Sequence, residues 1–225
     1  MTTPSQASRK RAGRLGLWML ASHLALAAYA APNLGAQIRD EDFTSSSSAI
    51  KVGQVAPAWI VRTWINSGPL DIAQLRGKVI LLRFFSDSPT SAATLNEFYQ
   101  TYREQGLEVV GFYAPQPMPS ETDPESVRRL VTAMGFEFPV GVDSRWETVN
   151  RYWLDQAGDQ MDAATFLMDR KGVIRAILSG GQYEKDSLNR NARRAYENLQ
   201  RQIEQLLKES APAPRAPTAP PGPTQ

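Results

Sequence analysis

The densest group of reactive side-chain types is Ser86-Asp87-Ser88-Pro89-Thr90-Ser91, four hydroxyls and one carboxylate in six residues. A serine hydroxyl attacks only where a positioned base takes its proton. The 225-residue chain offers little to serve as that base, because it has one histidine, His23, and no cysteine. Zero cysteines exclude a thiolate nucleophile, a disulfide and Cys-ligated zinc. A Ser-Lys pairing would fall to Lys78, which lies at the far end of the strand preceding the motif. The same residues also spell a helix start. Ser88 suits an N-cap, Pro89 the first turn and Ser91 the third helical position. Helix capping is therefore the expected role of Ser88, with an enzyme using Ser88 and Asp87 in non-thiol chemistry as the alternative.

The motif must sit between a strand and a helix. Val79-Ile80-Leu81-Leu82-Arg83-Phe84-Phe85 is a nearly continuous apolar run and predicts a buried central strand. Residues 91–105 carry Leu95, Phe98, Tyr99 and Tyr102 at helical spacing, and Gly106 is placed to end that helix. Further along, strands are predicted at 107–113 and 138–142, and helices at 124–135 and 145–154. A hairpin of 165–168 and 173–178 turns at Asp169-Arg170-Lys171-Gly172, and an amphipathic helix covers 187–209. The order β-α-β-α-β-α-β-β-α implies an α/β fold, a mixed sheet with helices on both faces and an antiparallel edge from the hairpin.

The ends read differently from this middle. Arg9, Lys10, Arg11 and Arg14 precede an apolar run from Leu15 to about Ala31, followed by Ala28-Tyr29-Ala30 and Leu34-Gly35-Ala36. That pattern predicts a signal peptide over residues 1–36, cleaved after Ala30 or Ala36, with an uncleaved membrane anchor as the alternative. Removing residues 1–30 takes away four basic and no acidic residues, so the formal charge falls from +2 to −2. The step also removes His23, and with it any Ser-His-Asp triad. A chain near −2 gives no reason to expect a nucleic-acid partner. Residues 37–50 read as a polar tether, 51–209 as the folded domain, and 210–225, with six of the 16 prolines, as a mobile tail.

Three phrases, in order, resemble the thioredoxin-like superfamily, in its TlpA and AhpC/TSA-type redoxin branch. They are Val52-Gly53-Gln54-Val55-Ala56-Pro57-Ala58-Trp59, the run from Leu75-Arg76-Gly77-Lys78 through Phe85, and the run from Ala164 to Ile174. The resemblance implies a Cys-x-x-Cys pair where the central strand meets the next helix, whose amides and dipole stabilise a thiolate. Here Ser88-Pro89-Thr90-Ser91 occupies that place. It also implies a cis-proline facing the pair; the matching residue is Ala163, where a cis bond would cost about 3–4 kcal/mol, so a trans peptide is expected. Alcohols do not undergo thiol–disulfide exchange. The expectation is a periplasmic or secreted redoxin-type domain without thiol chemistry of its own, binding extracytoplasmic protein partners at a degenerate site, with no cofactor and no metal. By family name it would be a thiol-disulfide oxidoreductase or antioxidant protein.

Three other groups have plainer readings. Asp143, Glu147, Asp155, Asp159 and Asp162 match no calcium-loop spacing and read as solvated charges. Trp59, Trp64, Trp146 and Trp153 read as core, with an aromatic ligand patch as the alternative. Gly180-Gly181 reads as a turn.

Overall fold

The computed structural model describes residues 50–87, 89–116, 121–152, 164–179 and 182–210. Seven buried residues make β2 (Val79–Phe85) the central strand, as its apolar run requires. It pairs in parallel with β3 (Leu107–Tyr113), Val79 opposite Leu107 and Phe85 opposite Tyr113. On its other side it pairs antiparallel with β5 (Ala164–Met168), which places Arg83 opposite Thr165. β3 pairs in parallel with β4 (Val140–Val142), and β5 antiparallel with β6 (Ile174–Ser179).

One strand had no sequence signal. β1 (Thr63–Ile65) lies antiparallel to β4 and completes a six-stranded sheet of order β1-β4-β3-β2-β5-β6. Three residues are too few for a readable alternation, so pairing with β4 rather than local pattern decides this strand.

The alternation of β2 sorts the core into two faces. Val79, Leu81 and Phe85 pack with Leu95, Phe98 and Tyr102 of α1 (Ala92–Tyr102), Val127 and Val131 of α2 (Pro124–Ala133), and Tyr196, Leu199, Ile203 and Leu206 of α4 (Arg190–Lys208). Ile80, Leu82 and Phe84 pack with Trp146 and with Val149 and Tyr152 of α3 (Glu147–Tyr152). Each such fully buried side chain contributes about 1.5–3 kcal/mol. Helices therefore cover both faces, and the hairpin and long helix lie where the sequence predicts them.

The helix ends follow from local chemistry. Asp123 caps α2 by accepting from the amides of Glu125 and Ser126, with Pro124 in the first turn. α1 passes into a short 3₁₀ turn, Arg103–Gln105, that ends at Gly106 with φ of +102°. The helix predicted at 145–154 starts later, at Glu147, because Trp146 itself takes a φ of +59°; residues 153 and 154 lie outside the described residues. Its start is set by Asp143, whose carboxylate accepts from the amides of Glu147, Thr148 and Val149 at 2.8–2.9 Å.

Close packing is tightest at Gly141 of β4. An added Cβ there would come within 2.8 Å of the Phe112 ring and of Val61. Gly141→Ala is expected to cost about 1–3 kcal/mol, read as a fall in the urea midpoint at unchanged m-value. A neutral result would mean that Val61 yields freely.

Candidate functional site

β2 ends at Phe85 and α1 begins at Ala92, so the hydroxyl motif forms the connection between them. Ser88 lies outside the described residues, as does Ala163. The structure corrects the capping assignment. The residue at the cap of α1 is Ser91, three positions later than Ser88, and its side chain makes no capping bond.

Tertiary contacts explain the shift: both Thr90 and Ser91 are drawn to partners outside the helix. Arg83 Nη2 donates to Thr90 Oγ1 at 2.8 Å, and the Tyr183 amide donates to Ser91 Oγ at 2.9 Å. Ser91 holds a left-handed φ of +62°, which costs a non-glycine residue about 1–2 kcal/mol. The Ser91 carbonyl still opens the helix by accepting from the Leu95 amide at 3.0 Å.

Arg83 is the centre of this arrangement. It stands in the middle of the most buried strand with no exposed surface. Its Nη1 donates to Thr165 Oγ1 at 2.8 Å, across the β2–β5 pairing. A guanidinium has only donors, so the Thr165 oxygen accepts. The same oxygen lies 3.1 Å from the Tyr183 hydroxyl, and the Tyr183 ring centre lies 5.3 Å from the guanidinium carbon. Arg83, Thr90, Ser91, Thr165 and Tyr183 thus form one polar ring, buried except at the half-buried Thr90, that joins β2, the β2–α1 connection, β5 and the segment leading to α4.

This ring uses the hydroxyls as hydrogen-bond partners. Ser91 is 3% exposed and its oxygen receives a backbone amide; no base lies against it among the described contacts. Lys78 pairs with Glu108 at the opposite end of β2. Sequence reasoning read the strand as apolar and passed over Arg83. The available signal was a lone arginine inside an otherwise apolar run, which has to be buried with partners. Thr165 and Tyr183 carried no signal of their own.

Asp87 belongs to a second feature of the same end of the sheet. It is exposed, and its Oδ1 accepts from the Tyr113 hydroxyl at 2.6 Å. Burial, then the hydrogen bond and charge of Asp87, push the Tyr113 phenol well above the usual tyrosine range. Tyr113 therefore keeps its proton and acts as a donor. A cleft of about 260 Å³ opens beside this pair, lined by Asp87, Tyr113, Glu121, Asp123, Val127 and Leu130 among others.

The remaining candidates separate in space. Asp143 caps α3, and Glu147 faces Arg62 at 3.8 Å. Asp155, Asp159 and Asp162 lie outside the described residues, as do Gly180 and Gly181. Among the described residues, no three His, Cys, Asp or Glu side chains are grouped to hold a metal ion. Trp64 and Trp146 are buried, the latter donating from Nε1 to the Pro115 carbonyl at 3.0 Å. Trp59 stacks edge-on against Phe112 at 5.1 Å and donates to the Tyr152 hydroxyl. These three tryptophans are packing residues; Trp153 lies outside the described residues.

Comparisons with known proteins agree with this architecture. Protein DipZ of Mycobacterium tuberculosis (strain CDC 1551 / Oshkosh) is 30% identical over 132 residues, covering 53% of this chain. The chain spans only 18% of the length of DipZ. Thiol-disulfide oxidoreductase ResA of Geobacillus kaustophilus (strain HTA426) is 24% identical over 149 residues, covering 64% of this chain and 79% of ResA. Among solved structures, a thiol-disulfide isomerase from Corynebacterium glutamicum superposes with a TM-score of 0.51 at 22% identity, covering 69% of this chain and 98% of its own. The fold is thioredoxin-like. The family model described as AhpC/TSA matches residues 52–177, more than half of the sequence and all of the sheet but the end of β6, and the chain belongs to that family.

Proposed function

We propose that this chain is an exported redoxin-type domain that performs no thiol–disulfide exchange with its own residues and serves as a protein-binding or accessory module. One observation carries the reading: the strand-to-helix junction holds hydroxyls, and the best described of them, Ser91, is buried and bonded to the Tyr183 amide. Redox turnover needs a sulfur that cycles between thiol and disulfide, and the sequence has none. Relatives named thiol-disulfide oxidoreductase support an ancestry in that chemistry. The surface at the junction is what such a scaffold retains for partners.

Export rests on the basic and apolar residues of the first 36 positions. No described helix is long and apolar enough to cross a membrane. The partners expected are extracytoplasmic proteins.

The purified full chain is expected to reduce insulin and consume hydroperoxide at the rate of buffer alone. Turnover that persists after removal of contaminating thioredoxins would overturn the proposal. Affinity capture from the native envelope is expected to return a defined protein set that changes when residues around Ser88 and Asp87 are altered. Capture that depends only on residues 210–225 would place the partner surface in the tail instead.

A further inference from the structure

The cleft beside Asp87 has a shape and a polarity that specify an occupant. It opens where β2 and β3 end side by side, Phe85 opposite Tyr113. Open α/β sheets bind ligands outside the carboxyl ends of their parallel strands. Its volume of about 260 Å³ lies below the roughly 300–1,000 Å³ of pockets that enclose whole small molecules, so it is sized for one side chain.

The lining has two parts. Val127 and Leu130 of α2 and the buried Tyr113 form an apolar wall. Asp87, Glu121 and Asp123 form an acidic rim. Arg129 neutralises part of it, standing 3.8 Å from Asp123, whose carboxylate is also bound to the amides of its own helix. Asp87 and Glu121 carry the rest of the negative charge. Asp87 is held in place by the Tyr113 hydroxyl. The carboxylates are too dispersed to hold a metal ion together. Carboxylates spread around an apolar cleft suit a long side chain with an aliphatic stem and a cationic head.

We infer that this cleft receives an arginine or lysine side chain of the bound protein partner, its stem along Val127 and Leu130 and its head between Asp87 and Glu121. The inference rests on the partner-binding proposal and gives the partner segment its chemistry.

The test is a titration of the isotope-labelled full chain with N-acetyl-arginine amide, followed by amide chemical shifts. Saturable shifts are expected at Asp87, Thr122, Ser126 and Val127. The citrulline analogue has nearly the same shape without the charge and is expected to give none. Asp87→Asn with Glu121→Gln is expected to weaken arginine binding roughly three- to tenfold, the scale of two exposed charge contacts. Asn at 87 still accepts from Tyr113, and an otherwise unchanged spectrum would show an intact fold. Equal binding of citrulline, shifts confined to another surface, or no loss in the double variant would overturn the inference. In envelope capture, an unchanged partner set with the double variant would sink the cleft assignment and leave the partner-binding proposal standing. An empty capture would sink that proposal itself, whatever the titration shows.

Discussion

Arg83→Ala is expected to lower folding stability by about 3–5 kcal/mol, the largest single effect in this domain. The substitution removes two charge-assisted hydrogen bonds, to Thr90 and Thr165, each worth about 1.5–3 kcal/mol. It leaves the Thr165 hydroxyl, which has no exposed surface, with one fewer partner. It also opens a cavity beside Tyr183, another residue with no exposure. Arg83→Met separates these causes. Methionine restores most of the volume and neither hydrogen bond, so it recovers the cavity's share of the loss and leaves the share of the two bonds. The methionine variant is expected to recover less than half of the loss. Urea denaturation monitored by tryptophan fluorescence reads both variants. A loss below about 1 kcal/mol for the alanine variant would mean that the ring does not hold the β2–α1 connection.

The second large effect is expected at Asp143. Its carboxylate accepts three successive amides, two of them on the buried residues Thr148 and Val149. Burial raises its pKa above the usual carboxylate range, while those three bonds pull it down. Asp143→Ala leaves the amides without an acceptor and is expected to cost about 2–4 kcal/mol, above a typical cap because the site is dry. The damage should spread along a defined route. Thr148 Oγ1 accepts from the Ile60 amide at 2.8 Å, and the Tyr152 hydroxyl donates to the Pro57 carbonyl at 2.9 Å. α3 thus fastens the segment that enters the domain. Hydrogen exchange in Asp143→Ala is expected to accelerate at residues 148–152 and at Ile60, with β2 and β3 protected as before. Uniform acceleration would show that α3 does not open separately.

Both residues mark where pattern reading stops. β2 and β3 were legible because a long apolar run admits few placements other than a central strand. α2 and α4 were legible from their periodicity and caps. The start of α1 was not. Ser88-Pro89 carries a sound local cap signal, and tertiary bonds to Arg83 and Tyr183 displace the start to Ala92. Trp146 was read as part of a helix, but Asp143 caps the chain one residue beyond it.

The sequence by itself determined the α/β layout, the likeness to redoxins and the lack of a thiol for disulfide exchange. These follow from hydrophobic period and from the presence or absence of a residue type, both local properties of the chain. Tertiary structure alone decided what the hydroxyls of the motif do. Thr90 and Ser91 meet partners 7 and 92 residues away, and Asp87 meets Tyr113 26 residues on. No local pattern encodes such pairings, because they exist only once the sheet register has brought β2, β3 and β5 side by side.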